Sequence, residues 1–196
     1  MFGCLSSEAQ AQDQAAGKAL FATCAACHGA AGEGNKDLNA PAIAGQEKWY
    51  LVRQLQNFKS GVRGAHPKDA TGSQMAPMAM TLATEADVGN VAAYVSSLPV
   101  APLAHDGGGD AAAGKALYAT CAACHGPDGK GQEATNAPNL TIQQDWYVLR
   151  QIQHFKAGVR GADAKDTFGQ QMAPMAQTLA DDAAAKNIVA YLASLR

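Results

Sequence analysis

The sequence predicts an all-α protein made of two tandem copies of one folding unit. Three observations carry this expectation. Cys24 and Cys121, Trp49 and Trp146, Met75 and Met172, and Tyr94 and Tyr191 recur at one constant offset, so residues 17–98 and 114–195 align without a gap and agree at more than half their positions. Apolar residues recur at helical spacing in each copy, and no segment sustains the two-residue alternation of a half-buried strand. The composition is heavy in alanine, the best helix former.

Taken along the chain, residues 1–11 (MFGCLSSEAQA) read as a leader or signal remnant, because Ala9-Gln10-Ala11 resembles the small-x-small pattern of a signal-peptidase site. Phe2-Gly3-Cys4 also resembles the end of a lipobox, in which Cys4 would carry lipid, and an unstructured leader with a free thiol is the third option. The first is preferred. Residues 12–98 form the first domain, 99–110 (PVAPLAHDGGGD) a linker broken by two prolines and three consecutive glycines, and 111–196 the second domain. Within the first copy, Ala15 to Ala25 is a helix carrying Gly17 and Phe21 one turn apart, a glycine position that signals close approach by another element. Trp49 to Lys59 places Leu51, Leu55 and Phe58 on one helix face, with Gly61 past its end. Thr84 to Asp87 is a variant capping box leading into the stripe Val88, Val91, Val95 and Leu98, which stops before Pro99. The second copy repeats these features. Long glycine-rich loops should surround something other than a conventional core.

Charge and hydropathy exclude several classes. The formal net charge is -2 and no block of like charge occurs, so no nucleic-acid footprint is present. Residues 12–98 carry seven basic and seven acidic side chains and residues 110–196 carry eight of each, so docking should rest on apolar surface more than on long-range steering. No apolar run approaches the length that spans a bilayer, which predicts a soluble or at most lipid-anchored chain.

The chemistry sits in Cys24-Ala25-Ala26-Cys27-His28 and Cys121-Ala122-Ala123-Cys124-His125. C-x-x-C-H at a helix end sets two thiols for thioether bonds to haem vinyl groups and the next imidazole as an axial ligand of the iron. A zinc ribbon would bring its two C-x-x-C pairs far closer in sequence, and a thioredoxin-like pair would need a βαβ context that is missing. Chance does not place the pentapeptide twice at equivalent repeat positions.

An iron held by one histidine needs a sixth ligand if it is to exchange electrons without binding small molecules. Each copy supplies methionines in a loop before its last helix, in Gln74-Met75-Ala76-Pro77-Met78 and Gln171-Met172-Ala173-Pro174-Met175. A lone methionine is more often a gap filler, but recurrence at matching distance from the histidine favours ligation. Spacing alone does not choose between Met75 and Met78. Met80, opposite Gln177, is packing or surface.

These motifs, with the Trp/Tyr-x-x-Arg-Gln-Leu/Ile-Gln-x-Phe-Lys-x-Gly helix and the short linker, resemble the two-haem cytochrome c4 family across nearly the whole chain after the leader. The resemblance implies two class I cytochrome c domains, each with one covalently bound haem c, in the bacterial periplasm and often attached to its membrane. It implies Cys24, Cys27, Cys121 and Cys124 as attachment residues and His28 and His125 as axial ligands. By the family's distance to the leucine before the last helix, here Leu82 and Leu179, it implies Met75 and Met172 as the opposite ligands. It also implies that the carbonyls of Pro41 and Pro138 accept a hydrogen bond from the axial histidines, and that Gly17 and Phe21 cross Tyr94, as Gly114 and Tyr118 cross Tyr191.

His66, His105 and His154 have no histidine counterparts in the other copy and read as incidental or exposed. Arg53 and Arg150 divide evenly between propionate contacts and ordinary surface cations, and Trp49 and Trp146 read as core or propionate contacts. The expected role is an electron carrier without substrate chemistry of its own. It would link a quinol-oxidising complex to a terminal oxidase or reductase, its partners being membrane respiratory complexes or other redox proteins. The alternatives are a dedicated cytochrome subunit of a periplasmic dehydrogenase, such as a sulfide-oxidising flavoprotein, and a haem enzyme with an open sixth position.

Overall fold

The computed structural model describes residues 13–196, which carry eight α-helices and no strand. The leader reading, the lipobox alternative and Cys4 lie outside these residues. The first copy contains α1 (Gln14–His28), α2 (Lys48–Lys59), α3 (Ala70–Met80) and α4 (Glu85–Ser97); the second contains α5 (Ala111–His125), α6 (Asp145–Lys156), α7 (Thr167–Gln177) and α8 (Asp182–Ser194). No helix among the described residues is long and apolar enough to cross a membrane.

Each copy is organised by a crossing of its first and last helices. Gly17 makes this possible: a Cβ there would lie 2.3 Å from the Asn90 carbonyl oxygen of α4, and one at Gly114 only 1.8 Å from that of Asn187 in α8. Beside the glycines, the Phe21 and Tyr94 rings meet at 5.5 Å and those of Tyr118 and Tyr191 at 5.2 Å, within the range of a favourable aromatic pair. The same asparagines tie down the helix starts, since Asn90 Oδ1 accepts from Asp13 N and Asn187 Oδ1 from Asp110 N. Asp13 and Asp110 in turn cap the free amides of α1 and α5.

The expected capping box is present, with Thr84 accepting from the Asp87 amide and Asp87 from that of Thr84. It launches a helix that buries Val88, Val91 and Val95 against Phe21 and Leu82. The second core gathers Tyr118, Val148, Ile152, Phe155 and Val189. In α2, Phe58 is buried but Leu51 and Leu55 are only half-buried, because they face the cavity described below.

Residues 99–110 contain no helix, as the prolines and glycines require. They are nonetheless anchored: Asp145, fully buried at the start of α6, accepts from the amides of Asp106 and Gly107, pairs with His105 and holds Arg196 at 2.7 Å. His105 is exposed, as the sequence suggests, but its pairing with Asp145 gives it a part in holding the linker. His154 is mostly covered, 3.9 Å from Asp69 of the other copy. His66 takes its local part as acceptor of the Lys68 amide.

Candidate haem-binding sites and the interface between them

α1 carries Cys24 and Cys27 three positions apart, hence on one face, and ends at His28. The next residue, Gly29, adopts φ 83° and donates its amide to Ala25, which stops the helix and turns the chain away. α5 repeats this with Cys121, Cys124, His125 and Gly126. Cys24 and Cys121 are half-buried and burial pushes their thiols up; Cys27 and Cys124 are exposed, and none of the four forms a disulfide.

The imidazoles are buried, and His28 Nδ1 donates to the Pro41 carbonyl at 2.8 Å, as His125 Nδ1 does to Pro138 at 2.9 Å. A carbonyl only accepts, so each Nδ1 carries the proton and each Nε2 keeps its lone pair. Burial lowers the proton affinity of both rings, with the proline carbonyls partly opposing it. The result is a neutral imidazole of fixed tautomer, the form that binds a metal.

The methionine segments are helices, not loops. Asp69 and Asp166 cap α3 and α7 by accepting from the amides of Gly72 and Gly169, and good helix formers follow. Pro77 and Pro174 and the local glycines disguised this; each proline removes one amide donor and crowds the carbonyl four residues earlier, yet the helix runs on for three residues beyond it. Met75, Met78, Met172 and Met175 all border the cavity. Met172 packs against the second core, whereas Met175 is 38% exposed and Met80 66% exposed.

One cavity of about 350 Å³ runs through both copies, bordered by His28 and Met75 on one side and His125 and Met172 on the other. At its centre lie residues that sequence reasoning missed. Arg63 and Arg160, each 7% exposed, share the carboxamide oxygens of Gln54 and Gln151: Arg63 donates to Gln54 at 2.6 Å and reaches Gln151 at 3.5 Å, while Arg160 donates to Gln151 at 2.7 Å and to Gln54 at 3.3 Å. Tyr50 and Tyr147 lie beside them; burial alone would raise the Tyr147 phenol, but the two guanidinium groups outweigh it. The Nε of both arginines is buried without a hydrogen-bond partner among the described residues. Two buried cations with an orphaned donor each suit an anionic, carboxylate-bearing group such as haem. The signal was available: Gly61-Val62-Arg63-Gly64-Ala65 recurs unchanged as Gly158-Val159-Arg160-Gly161-Ala162.

Arg53 and Arg150, which the sequence leaves divided between propionate contacts and surface cations, are both engaged across the interface between the copies. Arg53 stacks on Trp49 and on Phe168 of the other copy and donates to Asn136; Arg150 stacks on Trp146 and donates to Asn39.

Helices that end in C-x-x-C-H, with a carbonyl-fixed imidazole and a methionine helix of each copy bordering one apolar cavity, define a tandem c-type cytochrome. The model of the Cytochrome c family matches residues 14–99 and again 111–196. Cytochrome c4 of Azotobacter vinelandii is 32% identical over 174 residues, covering 83% of this chain and 81% of its own. The CcoP subunit of the cbb3-type cytochrome c oxidase of Rubrivivax gelatinosus is 40% identical over 156 residues, and this chain spans 47% of its length. Reduced cytochrome c4 from Pseudomonas stutzeri superposes with a TM-score of 0.73 at 28% identity, covering 93% of this chain and 98% of that one. The chain belongs to the dihaem cytochrome c4 family and carries two covalently bound haem c groups, one on Cys24 and Cys27 and one on Cys121 and Cys124.

Proposed function

We propose that the protein is a periplasmic one-electron carrier that takes electrons from a quinol-oxidising complex and delivers them to a terminal oxidase or reductase. Haem iron, once bound, supplies the reversible one-electron chemistry. His28 and Met75 would hold it in the first domain and His125 and Met172 in the second, and a side-chain ligand on each face of the iron would disfavour binding of a small-molecule substrate. Met75 and Met172 are preferred over Met78 and Met175, which border the same cavity, on the family's spacing to Leu82 and Leu179. Arg63 and Arg160, buried with an unpartnered Nε each and bordering the cavity, would hold the anionic carboxylates of the bound groups. The single observation that carries this reading is that cavity, shared by both copies and bordered by a complete histidine and methionine pair on each side.

One observation favours a second reading. A protein of Stutzerimonas stutzeri titled thiosulfate dehydrogenase electron acceptor is 31% identical over 195 residues, covering 91% of this chain and 84% of its own. A dedicated acceptor for a periplasmic dehydrogenase would use the same fold. Stopped-flow mixing of the reduced protein with oxidase-containing membranes, and of the oxidised protein with candidate dehydrogenases, separates the two. Fast exchange with the membranes is expected. Rapid turnover of peroxide, thiosulfate or sulfide by the isolated protein, with sluggish oxidation by every membrane tried, would overturn the carrier assignment.

A further inference from the structure

The histidine-accepting prolines lie in two short segments, and each is held by the other domain. On one side of Pro41, Arg150 Nη2 donates to Asn39 Oδ1 at 2.6 Å; on the other, Gln144 Oε1 accepts from Ala42 N at 2.9 Å and Gln143 Nε2 donates to Ala42 O at 2.7 Å. The mirror arrangement surrounds Pro138. Arg53 donates to the Asn136 side chain at 3.1 Å and carbonyl at 2.8 Å, Glu47 Oε2 accepts from Asn139 N at 3.2 Å, and Gln46 Nε2 donates to Asn139 O at 3.3 Å. Asn39 and Asn136 are the only described non-glycine residues at positive φ, 58° and 56°, a conformation asparagine tolerates best when its side chain is engaged. Besides the bonds that Arg63 and Arg160 make across the interface, these converge on the residues flanking the two prolines.

The arrangement is unequal in charge at one point. Glu47 occupies the place that Gln144 holds in the second copy. Gln144 also donates through Nε2 to the Glu33 carbonyl at 3.1 Å, which a carboxylate cannot do. We propose that each domain positions the hydrogen-bond acceptor of the other's axial histidine, and that Glu47, the one anionic member of this reciprocal clamp, lowers the reduction potential of the second domain. This rests on the reading of His28 and His125 as axial ligands.

The physical chain is short. The placement of the carbonyl that receives Nδ1–H sets how much negative character the imidazole passes to the iron. A carboxylate on the adjacent amide adds a charge that favours the oxidised state. Burial raises the proton affinity of Glu47, opposed by the amides of Asn139 and of Glu47 itself, so the carboxylate titrates above its usual range. The facing residues 137–143 (APNLTIQ) contain no ionisable group. Beyond them Asp145 is engaged with Arg196 and His105, and on α2 the neighbouring charges are Lys48 and Arg53, the latter committed to Asn136. As pH falls through the Glu47 transition the charge is lost, so the potential of the second domain should rise while that of the first stays level.

The test is spectroelectrochemical titration of the full-length holoprotein over a pH series, with the two potentials assigned to domains by isotope-edited NMR. Glu47→Gln should raise only the second-domain potential and flatten its pH dependence, changing the equilibrium constant for electron exchange between the domains by roughly threefold or more. Gln144→Glu should lower the first-domain potential instead. Arg150→Met, a change within the second domain, should shift the potential of the first by releasing Asn39. A well-ligated Glu47→Gln protein whose potentials and pH slopes match the parent, or move equally in both domains, would overturn the proposal. Loss of histidine ligation from the unmutated protein's spectra would instead overturn the ligand assignment on which it rests.

Discussion

Replacing the crossing glycines by alanine tests how each domain is built, because propensity and packing pull in opposite directions. In an ordinary helix interior the change to alanine gains about 1 kcal/mol. Here the new methyl would sit 2.3 Å from the Asn90 carbonyl oxygen at Gly17 and 1.8 Å from that of Asn187 at Gly114. Carbon contacts settle near 3.5 Å, so the helices must part by about 1 Å at the first site and more at the second. The atom struck is backbone, which cannot rotate away, and the aromatic contact next to it is loosened as well. Overpacking of this kind costs about 1–3 kcal/mol, and the backbone obstacle places both sites at or beyond the upper end. Net losses of about 2 kcal/mol for Gly17→Ala and about 3 kcal/mol for Gly114→Ala, the tighter site, are expected once propensity is subtracted. Guanidinium unfolding, followed by helical dichroism and by haem absorbance, would read the two domains. Ala19→Gly, at an exposed site on α1, is the control and should lose about 1 kcal/mol from propensity alone. A raised midpoint for Gly114→Ala would refute the close crossing.

Two further outcomes follow from named contacts. Met75→Ala should abolish the sulfur-to-iron charge-transfer absorption of one haem only and lower its potential, while Met78→Ala should leave that band intact; the reverse result would move the ligands to Met78 and Met175. Asp145→Ala should strand Arg196 and release the linker, costing about 3 kcal/mol in the second domain and speeding proteolysis within residues 99–110. Unchanged cleavage would mean that the linker is held by other contacts.

Much of the architecture and of the haem chemistry was legible before any coordinates. The duplication announces itself because the two copies must make the same fold, and C-x-x-C-H because thioether attachment and axial ligation need those groups on one helix end. The Thr84 box and the Gly17 crossing were readable for the same reason: caps and close approaches are local demands on residue type. The methionine helices were not, since Pro77 and Pro174 are strong breakers by propensity and only capping by Asp69 and Asp166 shows that the helix persists. Arg63 and Arg160 were identical in both copies and still went unread, because an arginine looks solvated until burial removes its water. The reciprocal hold on Pro41 and Pro138 is wholly a matter of tertiary structure. Arg53 meets Asn136 and Gln144 meets Ala42 across roughly a hundred residues of chain, a proximity that no local pattern encodes. The sequence by itself therefore determined what each domain is and where its haem attaches, through short-range chemistry; docking of the two copies decided which side chains from one reach the histidine loop of the other.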